Sequence, residues 1–577
     1  MLSRRLARCA PLLAVLFGEF LGAQAATEPA GQRPAVGRSV VSTRYGIVAA
    51  SQPLAAAAGV EILERGGTAA DAAVAANAVM GLMEPTGNGI GGDLFALVYN
   101  ARTRRVHALN ASGWAPAGLP SLLKQRGDTG MPQRGIHSVT VPGVVAGWDE
   151  LRLRFGTKGF GELLAPAIRY ADEGVPIAEI TAGNWRNSTA LLAAHPNSRK
   201  LFLMHGDRAP RAGEIFRNTD LANSLRRIAL RGREGYYTGA TADAILSISR
   251  EQGGTMTAAD LSEFRAEWVE PISTTYRGWT VYEIPPNSQG IAALEMLNIM
   301  ERFPIADYGW ASPRALHTMI EAKKLAYADL LRYVGDPRFA RVPVAQLLDK
   351  AQAERRASQI EMTRANCAVE PAQVAGLSNT TGNETIYLTV IDRDGNIVSL
   401  IQSNYSGFGS GLVPPGAGFM LHNRGALFSL MSGSPNELQG RKRPLHTIIP
   451  AMMTKADTAI GFGIMGGWNQ AQAHAQFVSH VADFGFTIQE ALEAGRFTKS
   501  TFSGCDLDIE PLVPTTTRDS LTALGHLLKV SATRSGTFGW GQAVMGIGTG
   551  VHFGASEPRH DGAAIPETPT IAPVRPR

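Results

Sequence analysis

Apolar and polar positions fall into two rhythms along this chain, and each predicts a different element. Residues 67–82 are a near-continuous run of Ala, Val and Met containing one acid, Asp71. Such a run of small side chains predicts a helix buried on most sides, with Asp71 as a paired or capping carboxylate rather than a catalyst. Helical spacing returns over 151–172, 218–228, 241–252, 291–302 and 313–333, and from Asn469 through His480. Short β-branched or aromatic runs predict strands at 94–99, 279–283, 385–391 and 397–401, the last two joined into a hairpin by the tight turn Asp392 to Asn396. Another apolar strand ends at Ile464-Met465, before the glycine pair Gly466-Gly467. Alternating helices and strands with glycine turns imply an α/β layered domain, and no solenoid-length repeat interrupts it. Residues 26–40 and the tail from about Pro558 are rich in Pro, Gly and Ala, and read as extended or loosely held.

Composition narrows the class. With 44% hydrophobic and 18% charged residues and 63 glycines among 577, the chain is a globular protein with a large core. The formal charge of +5 is spread along the sequence and matched locally by acids, so it predicts no nucleic-acid partner. The one dense basic run, Arg441-Lys442-Arg443, reads as a solvated loop in preference to a contact for a substrate anion. At the N-terminus, Arg4, Arg5 and Arg8 precede an apolar run over 10–17 and then Ala23-Gln24-Ala25. This is the pattern of a removable export signal over 1–25, which predicts a periplasmic or secreted product. The run is far short of the ~20 residues that span a bilayer, and no later segment reaches that length.

Cys9 would leave with the signal, so the mature chain keeps Cys367 and Cys505, whose pairing the sequence leaves open. No Cys-x-x-Cys or His-Glu-x-x-His pattern supports a zinc site or a thiol nucleophile. The glycine-rich stretch 84–93 precedes a strand instead of opening a helix, and no Gly-Lys-Ser/Thr follows. It reads as a packing loop near a site, not a phosphate cradle for a nucleotide-binding enzyme.

The candidate chemistry lies at an abrupt change. Residues 371–384 are small, polar and turn-prone, and they end at Thr385, the first residue of the hairpin strand. A threonine hydroxyl is a poor nucleophile until a base takes its proton. Its own α-amine serves if the preceding peptide bond is cut, and a free α-amine has a pKa near ~7.7–8.0. The same hydroxyl can attack the carbonyl of Glu384 in an N-to-O acyl shift if the linker is strained against a fixed strand. That cleavage would divide the chain into a large piece, 26–384, and a small one, 385–577. Acyl transfer also needs donors for the oxyanion, and Gly466 and Gly467 at a strand-to-helix junction are suited to it. Taken singly, a strand threonine is more often structural and a glycine pair more often a simple turn.

Read together, these segments resemble the γ-glutamyltransferase (glutathione hydrolase) family of N-terminal-nucleophile hydrolases, from about residue 40 to 565. The likeness is carried by Gly66-Gly-Thr-Ala-Ala-Asp-Ala, Gly87-Asn-Gly-Ile-Gly-Gly-Asp93, Pro285-Pro-Asn-Ser-Gln-Gly290 and Thr385 through Asn396. Later segments are Arg443-Pro-Leu445, Gly466-Gly467 and Gly554-Ala-Ser-Glu-Pro-Arg559. The resemblance implies a four-layer αββα sandwich, self-cleavage into two fragments that stay together as a heterodimer, and Thr385 as nucleophile. It also implies Ser403 hydrogen-bonded to that nucleophile, Gly466 and Gly467 as the oxyanion hole, and no metal or organic cofactor.

The departures concern substrate. Ser112 stands where the family's glutathione-handling members carry the arginine that holds a γ-glutamyl carboxylate. The three residues that bind the α-amino group align with Tyr405, Arg424 and Leu427, and the serine pair that assists the carboxylate aligns with His446 and Thr447. Arg424 would repel a substrate ammonium, and Leu427 offers it no counter-charge. The stretch 429–443 is short for the family's lid loop, which predicts an open cleft. The pattern is similar to the family's divergent, cephalosporin-acylase-like branch. The expected activity is hydrolysis or transfer at a γ-glutamyl or related acyl amide of a small molecule. The alternatives are an acylase for a non-γ-glutamyl amide, such as a glutaryl or β-lactam side-chain amide, and an inactive periplasmic binding or scaffold protein.

Overall fold

The computed structural model describes residues 33–34, 36–369, 384–533 and 536–569. The export signal over 1–25 and the linker over 371–383 lie outside the described residues.

Two seven-stranded sheets stack face to face between helices, an αββα sandwich. One sheet runs in the order Ala563–Pro566, Ile47–Ala50, Glu384–Ile391, Ile397–Tyr405, Asp93–Asn100, Arg105–Ala111 and Glu267–Val269. The other runs Val41–Thr43, Val551–Ser556, Gly541–Ile547, Thr458–Ile464, Ala451–Lys455, Trp279–Glu283 and Ile272–Tyr276. Side-chain alternation divides the core. In the first sheet Leu94, Ala96 and Val98 face one apolar cluster with helices Pro53–Glu64 and Ala69–Met83. Phe95 and Leu97 face the other cluster, shared with the second sheet and helices Gly290–Met300, Pro313–Tyr333 and Asn469–Ala482. A strand buried on both faces has no polar side to show, which is why the hairpin reads as a continuous apolar run.

The hairpin forms where expected, and its turn is held by Asp392, whose Oδ1 accepts from the N–H groups of Asp394 (3.1 Å) and Asn396 (2.9 Å). Ala69–Met83 matches the small-residue helix, and Asp71 caps it: Oδ2 accepts from the N–H of Thr68 at 3.0 Å and of Thr157 at 2.9 Å.

Other expectations are corrected. The span 151–172 is not one helix but the end of Val144–Phe155 followed by Phe160–Leu163 and Ala165–Glu173. Gly156 and Gly159 lie at the break, and a Cβ at Gly156 would sit 2.5 Å from Asp71 Oδ1. The tail is not loose throughout: Ala563–Pro566 is the edge strand of the first sheet, paired with Ile47–Ala50. Pro566 is tolerated there because an edge strand can lack one donor. Among the described residues no helix is long and apolar enough to cross a membrane.

Candidate active site

Thr385 sits at a break in strand register. Glu384 pairs with Tyr405 and Ile386 with Gln402, so two steps on one strand face three on the other. A bulge of this kind re-aims side chains at the end of a ladder, and here it sets Thr385 against Ser403. Thr385 Oγ1 donates to Ser403 Oγ at 3.2 Å, and Ser403 Oγ also accepts from the N–H of Tyr405 at 2.7 Å. Tyr405 has φ +76, which an L-residue with a bulky ring rarely adopts, so the strand is turned sharply at the site. Thr385 is 2% exposed and Ser403 fully buried.

Small residues bring the second sheet close. A Cβ on Gly461 would lie 2.9 Å from Thr389 Oγ1, and one on Gly463 would lie 2.4 Å from the Tyr387 ring. This antiparallel stacking runs toward Thr385 on one strand and toward Met465 and Gly466 on the other. Gly466 and Gly467 have φ +123 and +59, a conformation that requires glycine, and helix Asn469–Ala482 starts directly after them. Gln289 pins this turn, because its Nε2 donates to Gly467 O at 2.8 Å and also to Thr447 O.

The remaining residues aligned with substrate binding form a charged wall with an acid at its centre. Asp93 Oδ2 accepts from His446 Nε2 at 2.8 Å and lies 3.1 Å from His422 Nδ1 and 3.4 Å from Arg424 Nε. Its Oδ1 accepts from the N–H of Gly113 at 2.9 Å. All four side chains are fully buried. Burial alone would raise the Asp93 pKa, but the facing His422 and His446 overrule it and hold the carboxyl well below the usual range. Burial, and then the Arg424 charge, pushes His446 down to about 3. Its ring is therefore the neutral tautomer that donates from Nε2 to Asp93 while Nδ1 faces the N–H of Ile448 at 3.4 Å. Burial brings Arg424 down to about 10, opposed by Asp93, and it remains a cation at neutral pH. Its guanidinium lies 4.6 Å from the Tyr405 ring centroid, Nη1 donates to Thr447 Oγ1 at 2.8 Å, and Nη2 has no hydrogen-bond partner among the described residues.

Ser112 and Leu427 are hydrogen-bonded within the protein. Ser112 Oγ donates to Asn110 Oδ1 (2.9 Å) and accepts from Asn287 Nδ2 (3.2 Å). Leu427 is 2% exposed and its carbonyl accepts from Asn436 Nδ2 at 2.6 Å. The basic run is not a solvated loop: Lys442 and Arg443 are buried, and Arg443 Nε donates to Ser112 O at 2.9 Å while Nη1 pairs with Glu267 at 2.8 Å. Nor is the cleft open in the full-length chain, where Ser112, Arg424, His446 and Thr447 are at most 1% exposed. Asp93, His422 and Gln289 were not singled out as site residues from the sequence. Asp93 and Gln289 had a signal in their glycine-rich and Pro-Pro-Asn motifs, and His422 had none.

Comparison with known proteins agrees with this architecture. The family model described as gamma-glutamyltranspeptidase matches residues 55–567. A glutathione hydrolase-like YwrD proenzyme of Bacillus subtilis is 36% identical over 92% of this chain and 99% of its own length. An oxamate amidohydrolase proenzyme of Klebsiella pneumoniae is 33% identical over 91% of this chain and 99% of its own. The crystal structure of a cephalosporin acylase from Bacillus halodurans superposes with a TM-score of 0.85 at 41% identity, covering 93% of this chain and 99% of that one. The family is one of amidohydrolases and acyltransferases, and the stacked-sheet fold, the hairpin threonine and the match over most of the sequence lead to one assignment: this chain belongs to the gamma-glutamyltranspeptidase family.

Proposed function

We propose that the protein is an exported, self-processing amide hydrolase in which Thr385 is first the agent of its own cleavage and then the catalytic nucleophile. The observation that carries this reading is the placement of Thr385. It lies buried at a strand bulge with Oγ1 3.2 Å from Ser403 Oγ, and the turn-prone linker stands immediately upstream.

In processing, Thr385 Oγ1 bonds to the Glu384 carbonyl carbon as the Glu384–Thr385 C–N bond breaks and the departing nitrogen takes the hydroxyl proton. Water then hydrolyses the ester. This leaves a carboxylate at Glu384, a free α-amine at Thr385, and fragments 26–384 and 385–577. In turnover the neutral α-amine takes the Oγ1 proton while Oγ1 attacks the substrate amide. The N–H groups of Gly466 and Gly467 receive the oxyanion, Ser403 orients Oγ1, and the protonated amine returns its proton to the leaving nitrogen. Water or a second amine releases the acyl group.

The charged wall favours an acyl group that carries a carboxylate and no ammonium. Arg424 offers an unpartnered Nη2 beside Thr447, and a substrate ammonium there would meet a cation. γ-Glutamyl amides share the carboxylate but bring the ammonium, so they should be the poorer acyl donors. The decisive experiment is intact mass and N-terminal sequencing of wild type beside Thr385→Ala. A small fragment beginning at Thr385 in wild type alone supports the reading, and an uncut wild-type chain sinks it. Initial rates on glutaryl and γ-glutamyl anilides then rank the two acyl classes.

A further inference from the structure

The two cysteines beyond the leader stand on opposite sides of Thr385 in sequence, and they are bonded. Cys367 and Cys505 form a disulfide across 138 residues, with Cα atoms 4.9 Å apart. Cys367 follows helix Lys350–Ala357 on the large-fragment side, and Cys505 immediately precedes strand Asp506–Ile509 on the small-fragment side.

The bond lies within a built docking of one side onto the other. Ala365 N–H donates to Leu524 O at 2.7 Å, which joins the two sides by backbone. Lys324 Nζ, from the long helix Pro313–Tyr333, donates to Asn366 O at 3.0 Å and lies 3.6 Å from Cys505 Sγ. Glu321 pairs with that lysine at 2.7 Å and accepts from the N–H of Asn366 at 3.3 Å. His317 Nδ1 meets His526 Nε2 at 2.8 Å across the same boundary. Donor atoms of His317, Glu321 and His526 come within 4.8 Å of one another. Glu321 is paired with Lys324 and the two imidazoles with each other, so these side chains hold partners in the docking.

From this arrangement we infer that Cys367–Cys505 is a covalent cross-link between the two fragments, so that the mature enzyme is a disulfide-linked two-chain protein. The inference rests on the reading that the Glu384–Thr385 bond is cut. Before the cut, the disulfide closes a loop that contains the linker. After it, the same bond makes separation of the fragments an intramolecular event, with their effective concentration set by the tether instead of by dilution. Cys505 is buried and Cys367 exposed, so a dithiol reductant reaches the bond from the Cys367 side.

The test is electrophoresis in denaturant, with and without dithiothreitol, on protein purified in the presence of N-ethylmaleimide. Wild type, Cys367→Ser and Cys505→Ser are compared, with intact masses. The expected result is one wild-type band that resolves into two on reduction. Its unreduced mass is one water above the uncut chain. Both variants should show two bands without reductant. The exposed Cys367 position makes Cys367→Ser the deciding variant if Cys505→Ser fails to fold. Two wild-type bands without reductant overturn the cross-link and leave self-cleavage standing. A single band that survives reduction overturns self-cleavage, and the cross-link between fragments falls with it.

Discussion

The two walls of the site are built by different means. On the Thr385 wall, Thr385, Ser403, Gly466 and Gly467 carry no formal side-chain charge, and strand register, one bulge and glycine-permitted contacts between sheets position them. The other wall starts on the adjacent strand, where Asp93 is the register partner of Ser403, and holds Asp93, His422, Arg424 and His446, buried side chains that position one another through charge and hydrogen bonds. Backbone register is fixed by many bonds at once and tolerates the loss of any one of them. A buried charge network is not so tolerant, because each remaining member is stranded when another leaves. Chemistry should therefore be robust, and specificity brittle.

The largest expected effect falls on the neutral wall at its one irreplaceable atom. Thr385→Ala should abolish both fragment formation and amide hydrolysis, whereas Thr385→Ser, which keeps a hydroxyl, should still be cut, as electrophoresis and an anilide assay will show. Next in size is Asp93→Ala. It leaves Arg424 buried without its counter-ion and should cost about 3–5 kcal/mol in urea unfolding, with Asp93→Asn recovering part. Arg424→Gln should process normally yet lose roughly 10- to 100-fold in kcat/KM on an acyl amide bearing a carboxylate, the scale of about 1.5–3 kcal/mol for a hydrogen bond to a charged group. Equal loss on a neutral acyl amide would break the distinction between the walls.

Acid should act on the charged wall and on buried histidines elsewhere, among them His474 and His480. Burial holds His446 and His474 down to about 3 and His480 to about 4, against about 6.5 when unfolded. The unfolded chain therefore takes up protons first as pH falls below about 6.5. Stability should be constant above that pH from this source and decline toward pH 4, by on the order of 1 kcal/mol per pH unit for each histidine, read from melting temperatures. The smallest effect is expected at Ser403→Ala, which removes one hydrogen bond to Thr385. It should slow turnover by several-fold, about 1 kcal/mol, with processing intact.

The same contrast explains what was legible in the sequence. The hairpin, the glycine pair and the Asp71 helix announce themselves because their signals are local: period two, a β-branched run, a turn of fixed length. The charged wall joins Asp93 to His446 across 353 positions, and no local rhythm encodes such a pairing. Arg424 could equally have been a surface cation. Arg443 looked solvated because its neighbours are basic, yet it reaches inward to the Ser112 carbonyl. The tail strand was hidden by its prolines, which an edge position accommodates.

The contact of Tyr387 with Gly463 has a further consequence. At that point the phenol ring fills the whole gap between the sheets, anchored at its far end by Ser399 at 2.7 Å. The spacing of the sheets near Thr385 and the Gly466 turn is thus gauged by the thickness of one aromatic ring, two residues from Thr385 and three from Gly466. Any methyl added at position 463 would act as a shim, prising the sheets apart without touching Thr385 or the glycine pair.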